Sequence, residues 1–140
     1  MTSSIEGKKI VVGVTGGIAA YKAVEVVSRL RKAGAEVHVI MTKAAQEFVT
    51  ELTFRELSGQ PVTTDMWSKV THFKVEHIAL ANLADMMVIV PATANIIAKL
   101  AVGIADDMLT TTVLATKAPL MLAPAMNTNM YENPITQRNI

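Results

Sequence analysis

The sequence predicts an open α/β domain, a parallel sheet with helices packed on both faces, and three observations predict it. Short aliphatic runs alternate along the chain with stretches of three- and four-residue apolar spacing, the order of strands and crossover helices in a parallel sheet. Glycines stand where those segments meet, as turns and helix caps require. Val, Ile, Leu, Ala and Met carry most of the 51% apolar content, since aromatics make up only 4%, and such strands suit a sheet buried on both sides.

Lys9 to Val14 is the first aliphatic run, and Thr15-Gly16-Gly17 breaks it before helical spacing from Ile18 to Lys32. In that helix Ala19, Ala23, Val26, Val27 and Leu30 share one side, and Lys22, Glu25, Arg29 and Lys32 take the other. Gly34 ends it as a C-terminal cap, and Glu36 to Met41 is the second strand, which closes a βαβ unit. Thr42 is placed to cap a helix through Ala44, Ala45 and Phe48, and a short helix over Thr53 to Leu57 stops at Gly59. Gln60 to Val75, with Pro61, Trp67 and His72, reads as irregular. Asp85 to Val90 is a buried strand cut by Pro91, and helical spacing then runs from the Ala92 segment through Leu100. Gly103 separates this from a helix near Asp106 to Ala115, and Pro119 to Ala123 is the last strand. The whole is a doubly wound, Rossmann-like or flavodoxin-like arrangement, with no internal repeat or linker, and one domain over residues 1–140 is expected.

Charge and composition exclude several classes. The 13 basic and 12 acidic residues nearly cancel without a basic block, so neither nucleic acid nor a membrane surface is an expected partner. No window reaches the roughly 20 apolar residues of a spanning helix, and Met1 to Lys9 lacks the apolar core of a signal peptide. A cytoplasmic location is the expectation. With no cysteine, disulfides, thiolate metal sites and a cysteine acid or nucleophile are absent from these 140 residues, and no metal is expected.

In an open α/β sheet, ligands bind beyond the carboxyl ends of the strands. After Val14 come Gly16, Gly17 and Ile18, where backbone N–H groups can meet an anion at the start of a helix; a tight turn needing glycine explains them equally well. The run is neither the dinucleotide pattern nor a P-loop, and Met41-Thr42-Lys43 supplies no acid for an adenosine ribose. A mononucleotide phosphate at Thr42 therefore fits better than a dinucleotide, although a plain helix cap explains Thr42 as readily. After Val90, Pro91-Ala92-Thr93-Ala94-Asn95 offers N–H groups and a hydroxyl. After Ala123, Pro124-Ala125-Met126-Asn127-Thr128-Asn129-Met130-Tyr131 reads as a loop with amides beside an apolar wall. His77, taken alone, is most simply a surface or capping residue. Asp106 and Asp107 read as helix caps, and the nine methionines as core filling.

These segments together carry a resemblance. Pro124 to Tyr131 resembles the PxMNxxMW motif and Pro91 to Asn95 the PASAN motif of the homo-oligomeric flavin-containing cysteine decarboxylases, and His77 stands where that family keeps its active-site histidine. The Thr-Gly-Gly-Ile-Ala-Ala-Tyr-Lys start, Thr42 and Phe48 are similar to the amino-terminal decarboxylase domain of bacterial bifunctional coenzyme A biosynthesis flavoproteins, over about Lys8 to Ile140. The resemblance implies FMN as cofactor, held by Gly16, Gly17, Ile18, Thr42, Phe48, Thr93, Ala94, Asn95 and Ala125. It implies His77 as the catalytic residue, with Asn127 and Met130 binding substrate. The implied reaction decarboxylates 4'-phospho-N-pantothenoylcysteine to 4'-phosphopantetheine by oxidation to a thioaldehyde, CO2 loss and re-reduction. Implied partners are further copies, built from trimers, and a fused or separate phosphopantothenate-cysteine ligase. A peptide cysteine decarboxylase that stops at an enethiol and a non-catalytic FMN-binding regulatory subunit are the rival activities. Tyr131 departs from the motif's tryptophan, and the family's clamp cysteine has no counterpart here, so the domain is expected to be truncated at its C-terminal end.

Overall fold

The computed structural model describes residues 4–64 and 73–140. Among the described residues four parallel strands form one sheet: β1 (Lys9–Val14), β2 (Glu36–Met41), β3 (Met86–Ala92) and β4 (Leu120–Pro124), in the order β2-β1-β3-β4. Helix α1 (Ala20–Lys32) joins β1 to β2, and a 3-10 turn over Ala44–Glu47 leads to α2 (Glu51–Ser58). Helix α3 (Phe73–Leu83) precedes β3; α4 (Ala94–Val102) and α5 (Met108–Ala115) lie between β3 and β4; α6 (Thr128–Glu132) and α7 (Pro134–Asn139) follow β4.

Strand alternation makes two cores. Val12, Val14, Val37, Val39 and Val88 bury one face of the sheet against Ala20, Ala23 and Val27 of α1 and Phe54 of α2. Val11, Ile40, Met87 and Ile89 bury the other against Leu80, Ile96, Ile97, Met108 and Leu109. Each such side chain, taken fully out of water, stabilises the fold by about 1.5–3 kcal/mol, so both faces need cover and the sheet is wound on both sides. Gly13 leaves room for this packing: a Cβ there would meet Leu109 Cδ1 at 2.5 Å and Ile89 Cδ1 at 2.8 Å, and those side-chain ends would have to shift.

Several elements differ from the sequence expectation. Helix α1 starts at Ala20 rather than Ile18. Helix α3 begins inside the stretch read as irregular, and residues 65–72, with Trp67 and His72, lie outside the described residues. Pro91 does not end its strand: β3 continues to Ala92, and a register shift between Ile89 and Ala92 takes up the missing donor. The segment Pro124 to Tyr131, read as a loop, enters α6 from Thr128 onward, and α7 follows it. No helix among the described residues is long and apolar enough to cross a membrane.

Candidate functional site

The chain reverses direction across the sheet at β1, whose neighbours β2 and β3 lie on opposite sides. That switch point leaves a crevice above the strand ends, and a cavity of about 990 Å³ opens there. The Thr15 hydroxyl, 2% exposed, donates to the Pro91 carbonyl and ties the β1 exit to β3 beneath the cavity.

On the β1–β2 side the wall is backbone. Thr42 N–H donates to the Val14 carbonyl at 3.0 Å, and Ala45 N–H donates to Thr42 Oγ1 at 3.1 Å. Thr42 therefore caps the 3-10 turn and also lines the cavity. The turn sits so close to Gly16 that a Cβ on Gly16 would stand 2.9 Å from the Ala44 carbonyl carbon. Gly17 is not constrained in that way, since its nearest neighbour would be Thr93 Cγ2 at 3.5 Å. The N–H groups of Gly16, Gly17 and Ile18 donate to no group among the described residues. They precede the first turn of α1 and line the cavity, so they form a concave donor set at the positive end of a thirteen-residue helix.

On the β3–β4 side the wall is made of caps. Thr93 Oγ1 accepts from Ile96 N–H at 3.2 Å and starts α4. Asn95, exposed in the first turn of α4, has no side-chain partner among the described residues. Asn127 Oδ1 accepts from Asn129 N–H at 2.8 Å and starts α6, which leaves its Nδ2 group to donate elsewhere. Asp107 caps α5: its Oδ1 accepts from Thr110 N–H at 2.8 Å, and the Asp107 N–H donates to Thr110 Oγ1 at 3.1 Å. The Lys99 ammonium hydrogen-bonds Asp106 Oδ2 at 2.8 Å and holds that carboxyl below its ordinary value of 3.8.

The structure thus brings Gly16, Gly17, Ile18, Thr42, Thr93, Ala94, Asn95, Ala125, Asn127 and Met130 around one cavity. Phe48 is not among its lining residues and stands 52% exposed just past the 3-10 turn. His77 belongs to α3, and its side chain lies outside the described residues. Sequence reasoning missed Lys43, Glu47 and Lys99 as lining residues, while Asp107, read as a helix cap, also lines the cavity. The signal available was position alone: Lys43 directly follows Thr42, and Lys99 lies four residues past Asn95 on the same helix. No group of three or more metal-ligating acids or imidazoles occurs among the described residues.

A family model described as Flavoprotein matches residues 1–140. The chain is 50% identical over 137 residues to the coenzyme A biosynthesis bifunctional protein CoaBC of Vibrio vulnificus (strain YJ016), covering 98% of this chain and 34% of that protein. It is equally 50% identical to the CoaBC of Bacillus subtilis (strain 168), over 136 residues, 97% of this chain and 34% of that protein. The chain spans about a third of the length of the curated relatives it matches. Among solved structures, the FMN-dependent cysteine decarboxylase SpaF superposes with a TM-score of 0.89 at 37% identity, over 97% of this chain and 78% of that one. A PPC decarboxylase mutant complexed with pantothenoylaminoethenethiol gives 0.78 at 33% identity, over 96% of this chain and 75% of that one.

Proposed function

Because the chain belongs to the Flavoprotein family, we propose that it is an FMN-binding decarboxylase domain acting on 4'-phospho-N-pantothenoylcysteine in coenzyme A biosynthesis. The observation that carries the reading is the cavity at the switch point, with N–H donors on one wall and the Asn95 amide and Asn127 Nδ2 group on the other, none of which has a partner among the described residues. A volume of about 990 Å³ accommodates a mononucleotide together with a small acyl-cysteine. The donor set suits the cofactor: Gly16, Gly17 and Ile18 present three N–H groups to a phosphate, and Thr42, Thr93, Ala94 and Ala125 line the space beside them. Phe48, being off the cavity wall, is left out of this cofactor set. The relatives that support the reading are the bifunctional CoaBC proteins at about half identity and the PPC decarboxylase fold.

When bound, FMN supplies a two-electron acceptor for the hydride on the carbon bearing sulfur, which makes loss of CO2 from the neighbouring carbon feasible. Asn127 orients the substrate by donating from Nδ2 to its carboxylate, the Oδ1 being committed to α6. Met130 packs beside the substrate from the first turn of the same helix. His77 takes the thiol proton on an imidazole nitrogen, work suited to a group whose unperturbed pKa is near ~6.5. Completing the saturated thiol requires a separate proton donor, and these 140 residues hold no cysteine. We propose that another copy, in the homotrimer implied by the resemblance, covers Ile18, which lines the cavity and is 82% exposed. The ligase implied in the same way is the proposed partner activity, in the cytoplasm.

The test is single-turnover CO2 release from phosphopantothenoylcysteine by the flavin-loaded chain, with mass analysis of the released cofactor. FMN is expected, and about one CO2 per flavin. His77→Asn keeps flavin occupancy and slows CO2 release by about 10²-fold or more, the usual contribution of a positioned base. A rate within a few fold of the parent removes His77 from the mechanism, and a released FAD or nicotinamide ends the FMN reading.

A further inference from the structure

Four charged residues line the cavity: Lys43, Glu47, Lys99 and Asp107. Two of them are already committed. The Lys99 ammonium is hydrogen-bonded to Asp106 at 2.8 Å, and the Asp107 carboxylate holds the Thr110 N–H and hydroxyl at 2.8 and 2.7 Å. Glu47 is an acid and repels an anion. Lys43 is the lining cation with no ion-pair or hydrogen-bond partner among the described residues.

Its position is fixed by backbone contacts rather than by its own side chain. Thr42 N–H is bonded to Val14, and Ala44 packs on Gly16 closely enough to exclude a Cβ there. Lys43, between those two anchored residues, is therefore held beside the three free N–H groups that lead into α1. Those groups carry the partial positive charge of a helix start but no full charge, and a phosphate monoester brings close to two negative charges. Resting on the flavin reading above, we propose that Lys43 is the counter-ion of the flavin phosphate and selects FMN over riboflavin. Lys99, locked to Asp106 across the cavity, does not take that part.

Titration of the flavin-free chain with FMN and with riboflavin, followed by flavin fluorescence, tests this. Lys43→Met is expected to raise the Kd for FMN about tenfold, between the exposed-pair and charge-assisted limits, while the Kd for riboflavin stays within about twofold. The salt dependence of FMN binding falls with it. Lys43→Arg restores the preference, and Lys99→Met shifts both flavins alike. Equal changes for FMN and riboflavin in Lys43→Met, no change in either, or a phosphate-selective loss in Lys99→Met overturns the assignment while the flavin reading stands. Failure of the unaltered chain to bind either flavin overturns the flavin reading, and the Lys43 assignment with it.

Discussion

Where β1 and β2 end, the cavity wall is backbone pressed on backbone; where β3 and β4 end, it is a series of side-chain caps. Gly16 meets the Ala44 backbone so closely that the contact excludes any side chain. Thr93, Asn127 and Asp107 each start a helix with one oxygen and face the cavity as well. The difference teaches that the two walls fail in different ways. A backbone contact has no rotamer to adjust, so one added methyl group displaces the whole turn and the N–H groups beside it. A cap can be lost singly, at about the free energy of one hydrogen bond, while the buried core beneath it persists.

The largest effect is therefore expected on the first wall. Gly16→Ala should destabilise the domain by about 1–3 kcal/mol, as overpacking does, and should lower flavin occupancy; Gly17→Ala should leave stability within about 0.5 kcal/mol, since its new Cβ meets only ordinary contacts. Denaturant unfolding of the two variants measures the contrast, and equal losses would erase the distinction between the walls. On the second wall, Asp107→Ala removes the α5 cap and should cost about 1 kcal/mol, read as a lower unfolding midpoint at an unchanged slope. A loss as large as that of Gly16→Ala would show that this wall too is set by close packing.

The smallest effect is a pH dependence. The Asp106 carboxyl is held below 3.8, first by its hydrogen bond from Lys99, so the stability it contributes is present above that value and is lost as pH falls through the depressed one. Lys99→Met should flatten the dependence of stability on pH below about 4. The same acid-side slope in both proteins would mean that the pair contributes nothing, as exposed pairs often do.

Much of this architecture is legible in the sequence because it depends on local chemistry. The runs at Lys9–Val14 and Glu36–Met41 match β1 and β2, and Gly59 and Gly103 end α2 and α4 in the left-handed conformation that glycine tolerates. The α5 start at Asp107 was readable for the same reason, as was the Thr42 cap. Helices α6 and α7 were less legible because five- and six-residue helices show too little periodicity. Their only local signal is Asn127 and the Asn133-Pro134 pair, a cap followed by proline at the first helical position. Pro91 misled because proline ends most strands; here the register shift beside β4 absorbs it, and its carbonyl receives the Thr15 hydroxyl.

By itself the sequence determined the order of the four strands and of α1, α2, α4 and α5, the two-faced burial of an aliphatic sheet and the motif segments at the strand ends. Those follow from periodicity and from backbone preferences, which act over a few residues. Only the tertiary structure decided that Gly16 is demanded by Ala44 while Gly17 is not, that Phe48 stands off the cavity wall, and which lining cation has no ion-pair partner among the described residues. Lys43 and Lys99 are alike as sequence letters. They differ because folding carries Asp106 to Lys99 and leaves Lys43 on the same cavity as three N–H groups that have no partner among the described residues, and a charge acts through the partners that the fold brings within a few ångströms.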